Sequence, residues 1–117
     1  MKMNDEQADR FFVGVIQGYS ALVHTNAVLK GFWDDKRSDA EAIALMHSEL
    51  SEALESIRKG HPPDHHCPEF TNTEIEFADL VIRVMDTCAA RGYRLGEAIV
   101  AKAAFNAKRP HRHGKAF

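Results

Sequence analysis

Apolar residues recur along this chain at steps of three and four, and no run alternates apolar with polar long enough to read as a strand. From about Asp5 to Leu29, the spacing of Phe12, Ile16, Tyr19 and Val23 predicts a first helix. Gly31-Phe32-Trp33-Asp34-Asp35 interrupts it. Ser38-Asp39-Ala40-Glu41 has the form of a capping box and opens a second helix, with Ile43, Met46, Leu50, Leu54 and Ile57 as its apolar stripe. Gly60 and Pro62-Pro63 end that helix, and a loop follows from His61 to Asn72. Thr71 or Thr73 can cap a third helix running to about Ala90, where Gly92 stops it; a fourth spans about Leu95 to Ala107. The tail from Arg109 to Phe117 is basic and cannot continue as regular helix past Pro110. Four helices with short links predict an all-α antiparallel four-helix bundle, one domain over 1–117 with 109–117 as its tail.

Composition narrows the partners. A net charge of −2 gives no electrostatic footprint for nucleic acid or an anionic membrane. No apolar stretch approaches the roughly 20 residues a membrane span needs. Two cysteines, Cys67 and Cys88, and a polar start without a signal-peptide pattern predict a reduced, soluble, cytoplasmic protein.

Inside the helical pattern sit two carboxylate pairs, Glu49-Leu-Ser-Glu52 and Glu76-Phe-Ala-Asp79, with 23 residues between them. Each has i,i+3 spacing, so each projects two acids from neighbouring points of one helix surface. Glu49 and Glu52 lie about 100° and about 160° from the centre of the second helix's apolar stripe, which by itself reads as a solvated acidic face. The third helix is different: Phe77, Ala78, Leu80, Val81, Val84, Met85, Cys88 and Ala89 predict that it is largely buried, with Glu76, Asp79, Arg83 and Asp86 in one narrow stripe. Buried charges persist when paired or when they coordinate a metal. Arg83 can pair locally with Asp79 or Asp86, but one arginine does not balance three acids. A hard divalent cation such as Mg²⁺ relieves the remaining repulsion, which points to metal-assisted chemistry on a phosphorylated substrate. On the fourth helix, Lys102, Asn106 and Arg109 share a face with Leu95 and Ile99 and form a candidate phosphate-facing strip.

These residues resemble the MazG-like nucleoside triphosphate pyrophosphohydrolases, a family of all-α enzymes whose signature is E-E-x-x-E, a spacer, then E-x-x-D. The chain reads Ser48-Glu49-Leu50-Ser51-Glu52 and Glu76-Phe77-Ala78-Asp79, with Ser48 in place of the first acid. The ending Lys102-x-x-x-Asn106-x-x-Arg109-Pro, the Gly31-Phe32-Trp33 turn and Ile82-Arg83-Val84-Met85-Asp86 are similar to a short, single-domain branch of the family. The resemblance spans roughly Gly31 to Phe117. It implies cleavage of a (d)NTP between the α and β phosphates, giving the monophosphate and pyrophosphate. It further implies Mg²⁺, with Mn²⁺ as the alternative, on Glu49, Glu52, Glu76 and Asp79, and catalytic roles for Glu49 and Glu52, the latter as base. Lys102, Asn106 and Arg109 would contact the phosphate tail and Trp33 would stack on the base. The implied assembly is a homodimer or homotetramer in which helices of two subunits build one site.

Two other readings compete. A non-catalytic helical nucleotide-binding or protein-interaction module predicts no effect of divalent metal on stability. The loop His61-Pro-Pro-Asp-His65-His66-Cys67 has ligand types suited to zinc, yet no second motif at zinc-finger spacing accompanies it, and it reads as a solvated polar loop.

Overall fold

In the computed structural model, which describes residues 2–117, four helices carry the chain: α1 (Asp5–Leu29), α2 (Asp39–Arg58), α3 (Asn72–Arg91) and α4 (Leu95–Ala107), followed by a short 3₁₀ turn at His111–Gly114. No strand occurs among the described residues, and the fold is all-helical, consistent with a helical bundle. No helix is long and apolar enough to cross a membrane.

Local chemistry sets the boundaries. Asn4 and Gln7 close a reciprocal capping box on α1, and Ser38 Oγ accepts from the Glu41 N–H to start α2. Of the two threonines available to α3, Thr71 is the cap: its side chain accepts from the Glu74 N–H, and the Glu74 carboxylate accepts from the Thr71 N–H at 2.8 Å. Gly92 ends α3 in the left-handed region (φ 71°), where an L side chain is disfavoured. The loop between α2 and α3 is pinned at both ends, by Asn72 N–H on the Pro62 carbonyl (2.7 Å) and Asp64 N–H on the Phe70 carbonyl (2.9 Å).

The helices pack in a row, α2 on α3, α3 on α1 and α1 on α4. Small residues make the close approaches. Ala42, Ala53 and Ser56 are the parts of α2 that are buried along with Glu49, and Gly96 of α4 lies against the backbone of Val13. The larger apolar residues are elsewhere. Ile43, Leu50, Leu54 and Ile57 are exposed on α2, as are Phe11, Val15, Tyr19 and Leu22 on α1. α3, expected from its composition to be largely buried, is only partly so: Phe77, Val81 and Ile82 face outward, and Met85 is its one buried large apolar residue. The accessible surface is 8967 Å², against about 6,400 Å² expected for a compact monomer of this mass. The radius of gyration, 16.9 Å, likewise exceeds the roughly 13 Å of a compact domain of this length.

Candidate active site

The row places α2 beside α3 in the register that turns Glu49 inward. Its side chain lies on the flank of α2 facing α3 and the residue is 7% exposed, so it is not part of a solvated face. Across from it, Glu76 and Asp79 share one edge of α3. Oxygens of Glu49, Glu76 and Asp79 all lie within 4.8 Å of one another. Among the described residues, they form the one group of three or more metal-ligating side chains gathered this closely. Glu52 is exposed at the border of the group, close enough to shift the titration of both Glu49 and Glu76. Ser48, at the first position of the acidic motif, turns back onto its own helix and donates to the Leu45 carbonyl at 2.6 Å.

Electrostatics divide the three acids. Burial opposes charge on Glu49, but the Arg83 bond, and after it Glu76 and Glu52, outweigh burial and hold this carboxyl below its usual range. Burial, then the neighbouring Glu49 and Glu52, push Glu76 up to about 7, although the Asn72 amide opposes the rise. Asp79 is raised by burial first and by the charge on Glu49 second. One acid therefore stays ionised against a guanidinium while its neighbours hold protons more tightly than free carboxyls.

Hydrogen bonds fix the group from two sides. Arg83 Nε donates to Glu49 Oε1 at 2.7 Å, a pairing between helices and not the local pairing with Asp79 or Asp86 that spacing allows. Asn72 Nδ2 donates both to Glu76 Oε1 (3.1 Å) and to Asp64 Oδ1 (2.8 Å), while buried Asp64 also accepts from the His66 and Cys67 N–H groups. Glu76 Oε2 is buried and has no hydrogen-bond partner. An orphaned carboxylate oxygen facing two further carboxylates is a set of hard oxygen donors, and oxygens opposite one another on Mg²⁺ stand about 4.2 Å apart. The residues present therefore fit such an ion. His65, His66 and Cys67 are exposed and gather into no such group.

A cavity of about 480 Å³ opens beside the acids, between α1, the Phe32–Arg37 turn and α3. Glu49, Asp79 and Arg83 line one wall, and Lys30, Phe32 and Arg37 are on the other. No α4 residue lines it. Lys102 and Arg109 instead flank Phe105, at 4.8 and 5.6 Å from its ring centre, on a helix that packs against α1. Asn106 Oδ1 is buried and without a partner there. Within one chain, then, the cations that share the cavity with Glu49 and Asp79 are Arg83, Lys30 and Arg37, which local spacing did not single out for this role.

Trp33 is held rather than presented. Its Nε1–H donates to both oxygens of buried Asp86 (3.0 and 3.1 Å), and His24 Nδ1 shares Asp86 Oδ1 at 2.8 Å. The His24 ring stands edge-on to the indole at 5.3 Å, and the guanidinium groups of Arg37 and Arg91 lie 5.1 and 5.9 Å from its centre. These contacts tie the Gly31–Trp33 turn to α1 and α3. The aromatic rings that line the cavity are Tyr19 and Phe32.

Comparison with protein-family models, with curated proteins and with solved structures finds no match for this chain. The functional reading rests on the residues themselves.

Proposed function

We propose that this chain is a Mg²⁺-dependent nucleotide pyrophosphohydrolase that cleaves (d)NTPs between the α and β phosphates, releasing the monophosphate and pyrophosphate. The observation that carries this reading is the convergence of Glu49, Glu76 and Asp79, with one Glu76 oxygen left unpartnered, beside a cavity lined by Lys30, Arg37 and Arg83. Glu49, Glu76 and Asp79 are the residues that would hold Mg²⁺ or Mn²⁺, with Glu52 completing the set from the border. The chemistry such an ion would supply is charge neutralisation on the phosphate oxygens and a more acidic water. Glu52, exposed at the border, would orient the attacking water and accept its proton. Asn72 keeps Glu76 Oε1 occupied and leaves Oε2 as the oxygen free to take a cation.

The second part of the reading is self-association. The accessible surface in excess of a compact monomer is roughly 2,600 Å² per chain, or about 5,200 Å² for a pair, the upper part of the range an obligate interface buries over both partners, and exposed Ile43, Leu50, Leu54 and Ile57 supply an apolar stripe for it. In a homodimer or homotetramer, Lys102, Asn106 and Arg109 would serve the site of a neighbouring copy, since α4 stands away from the cavity of its own chain.

The Arg83–Glu49 pair favours one alternative, a non-catalytic helical module in which that ion pair is purely structural. Pyrophosphate release from a panel of NTPs and dNTPs, with and without Mg²⁺, separates the two for wild type and Glu49→Gln. Mg²⁺-dependent release that Glu49→Gln abolishes supports the enzyme. No release from any nucleotide, together with no Mg²⁺-induced rise in Tm, supports the module.

A further inference from the structure

We propose that Arg83 binds the phosphates of the substrate through the outer edge of its guanidinium while its Nε stays on Glu49. The inference rests on the hydrolase reading above and assigns to it a residue outside the acidic motif.

Arg83 meets Glu49 at one point only, Nε on Oε1. A purely structural arginine–carboxylate pair gains most from the two-pronged arrangement, in which two guanidinium nitrogens face two oxygens. Here the two terminal nitrogens make no hydrogen bond to the described residues, and the side chain is 34% exposed where it lines the cavity. Four N–H bonds are thus presented to the space beside Glu49 and Asp79. Glu76, Asp79 and Arg83 follow at i, i+3 and i+7 along one edge of α3, and side chains on a helix lean toward its N-terminus. Arg83 therefore leans over the turn that carries Asp79. Lys30 and Arg37 line the same cavity, so the space beside the acids is cationic around an anionic floor, the pattern expected for a polyphosphate with its metal.

Charge gives the same result. Glu49, Glu76, Asp79 and Glu52 together offer four negative charges, more than one divalent ion neutralises, so Arg83 need not leave when a metal arrives. Lysine would serve less well, because its ammonium lacks the rigid fork that keeps one edge on Glu49 and turns another to a phosphate.

The experiment uses the full-length protein with two probes. Mn²⁺ affinity is read by electron paramagnetic resonance without phosphate, and affinity for inorganic tripolyphosphate is read by calorimetry in Mg²⁺. Arg83→Gln should weaken tripolyphosphate binding about 10- to 100-fold, the worth of a charge-assisted hydrogen bond. Its Mn²⁺ affinity should equal or exceed that of wild type, because a neighbouring positive charge is gone. Arg83→Lys should keep the wild-type Tm by retaining the Glu49 pairing, yet bind tripolyphosphate almost as weakly as the glutamine variant. It carries the test if Arg83→Gln does not fold. Tripolyphosphate affinity within about twofold of wild type in either variant overturns the proposal. So does a parallel loss of Mn²⁺, which would make Arg83 a support for Glu49 alone. Wild-type protein that binds Mn²⁺ but not tripolyphosphate overturns the role of Arg83 only. Wild-type protein that binds neither overturns the metal reading with it.

Discussion

Replacing Glu76 by glutamine should stabilise the metal-free protein and at the same time remove most of its response to Mg²⁺. The glutamine mimics the protonated acid and keeps an oxygen for the Asn72 amide. In the folded chain, burial and the neighbouring Glu49 and Glu52 raise Glu76 from 4.5 to about 7. Between those values the folded state holds a proton that the unfolded state has released, so stability falls as pH rises across that window. The loss is complete above about pH 7, and below about 4.5 the group contributes its full stabilisation. A shift of this size corresponds to at most about 3 kcal/mol. Partial exposure lowers that figure, and Glu49, shifted the opposite way, offsets part of it. A gain of about 1–3 kcal/mol, or roughly 4–12 °C in Tm, is therefore expected for Glu76→Gln in EDTA at about pH 8. The gain should shrink steadily toward about pH 5. Added Mg²⁺ should raise the Tm of wild type and leave the variant nearly unmoved, because one ligand oxygen has become an amide. The assay is a set of thermal melts across pH in EDTA and in Mg²⁺. Glu76→Gln melting at or below wild type in EDTA at alkaline pH would refute the reasoning, as would an advantage independent of pH.

Three further outcomes follow from the packing. Asp86→Ala leaves the Trp33 Nε1–H and His24 without their shared acceptor; a loss of about 1–3 kcal/mol is expected, with a red shift of the single tryptophan's emission, and an unchanged spectrum would show that the turn is held by other means. Gly96→Ala places a methyl 3.1 Å from Val13 Cα and 3.3 Å from its carbonyl oxygen. Backbone there cannot easily give way, so a net loss of about 1–2 kcal/mol in urea unfolding is expected despite alanine's better helix propensity; a stability gain would contradict the close α1–α4 crossing. Leu50→Glu combined with Leu54→Glu should reduce the mass measured by light scattering from a multiple of the subunit to 13.1 kDa. Wild type already at that mass would remove the case for an interface on this face.

Where the sequence was legible, the governing interactions are local. Thr71 with Glu74, Ser38 with Glu41, and Gly92 after α3 act within a few residues, and the helix limits follow from them. The orientation of α2 was not legible in this way. A helical wheel finds Ile43, Leu50, Leu54 and Ile57 and turns that stripe inward by default. In the folded chain the inward flank carries Ala42, Glu49, Ala53 and Ser56, whose small side chains let α2 approach α3 closely. Periodicity identifies which face is apolar but not which surface covers it. The Arg83–Glu49 pair is not legible for a related reason: spacing along α3 offers Arg83 only Asp79 and Asp86, whereas its partner depends on the register between α2 and α3.

The departures from local rules cluster in one place. A glutamate sits on the inward flank of α2, two acids on α3 face it, and a buried loop aspartate, besides closing its own turn on His66 and Cys67, holds the asparagine that holds Glu76. Each costs stability, because buried carboxyls that keep their protons or their single cation are poorer than apolar packing. Apolar residues at Glu49 and Glu76 would pack α2 on α3 without that repulsion. Three converging acids, with an asparagine fixing the one whose second oxygen is unpartnered, are the arrangement whose repulsion the proposed cation would relieve. A cation satisfies that arrangement; a second helix's apolar stripe does not. On the proposed function the two surfaces have different partners: the exposed leucines of α2 would meet a second copy, and the acids between α2 and α3 would meet metal and phosphate.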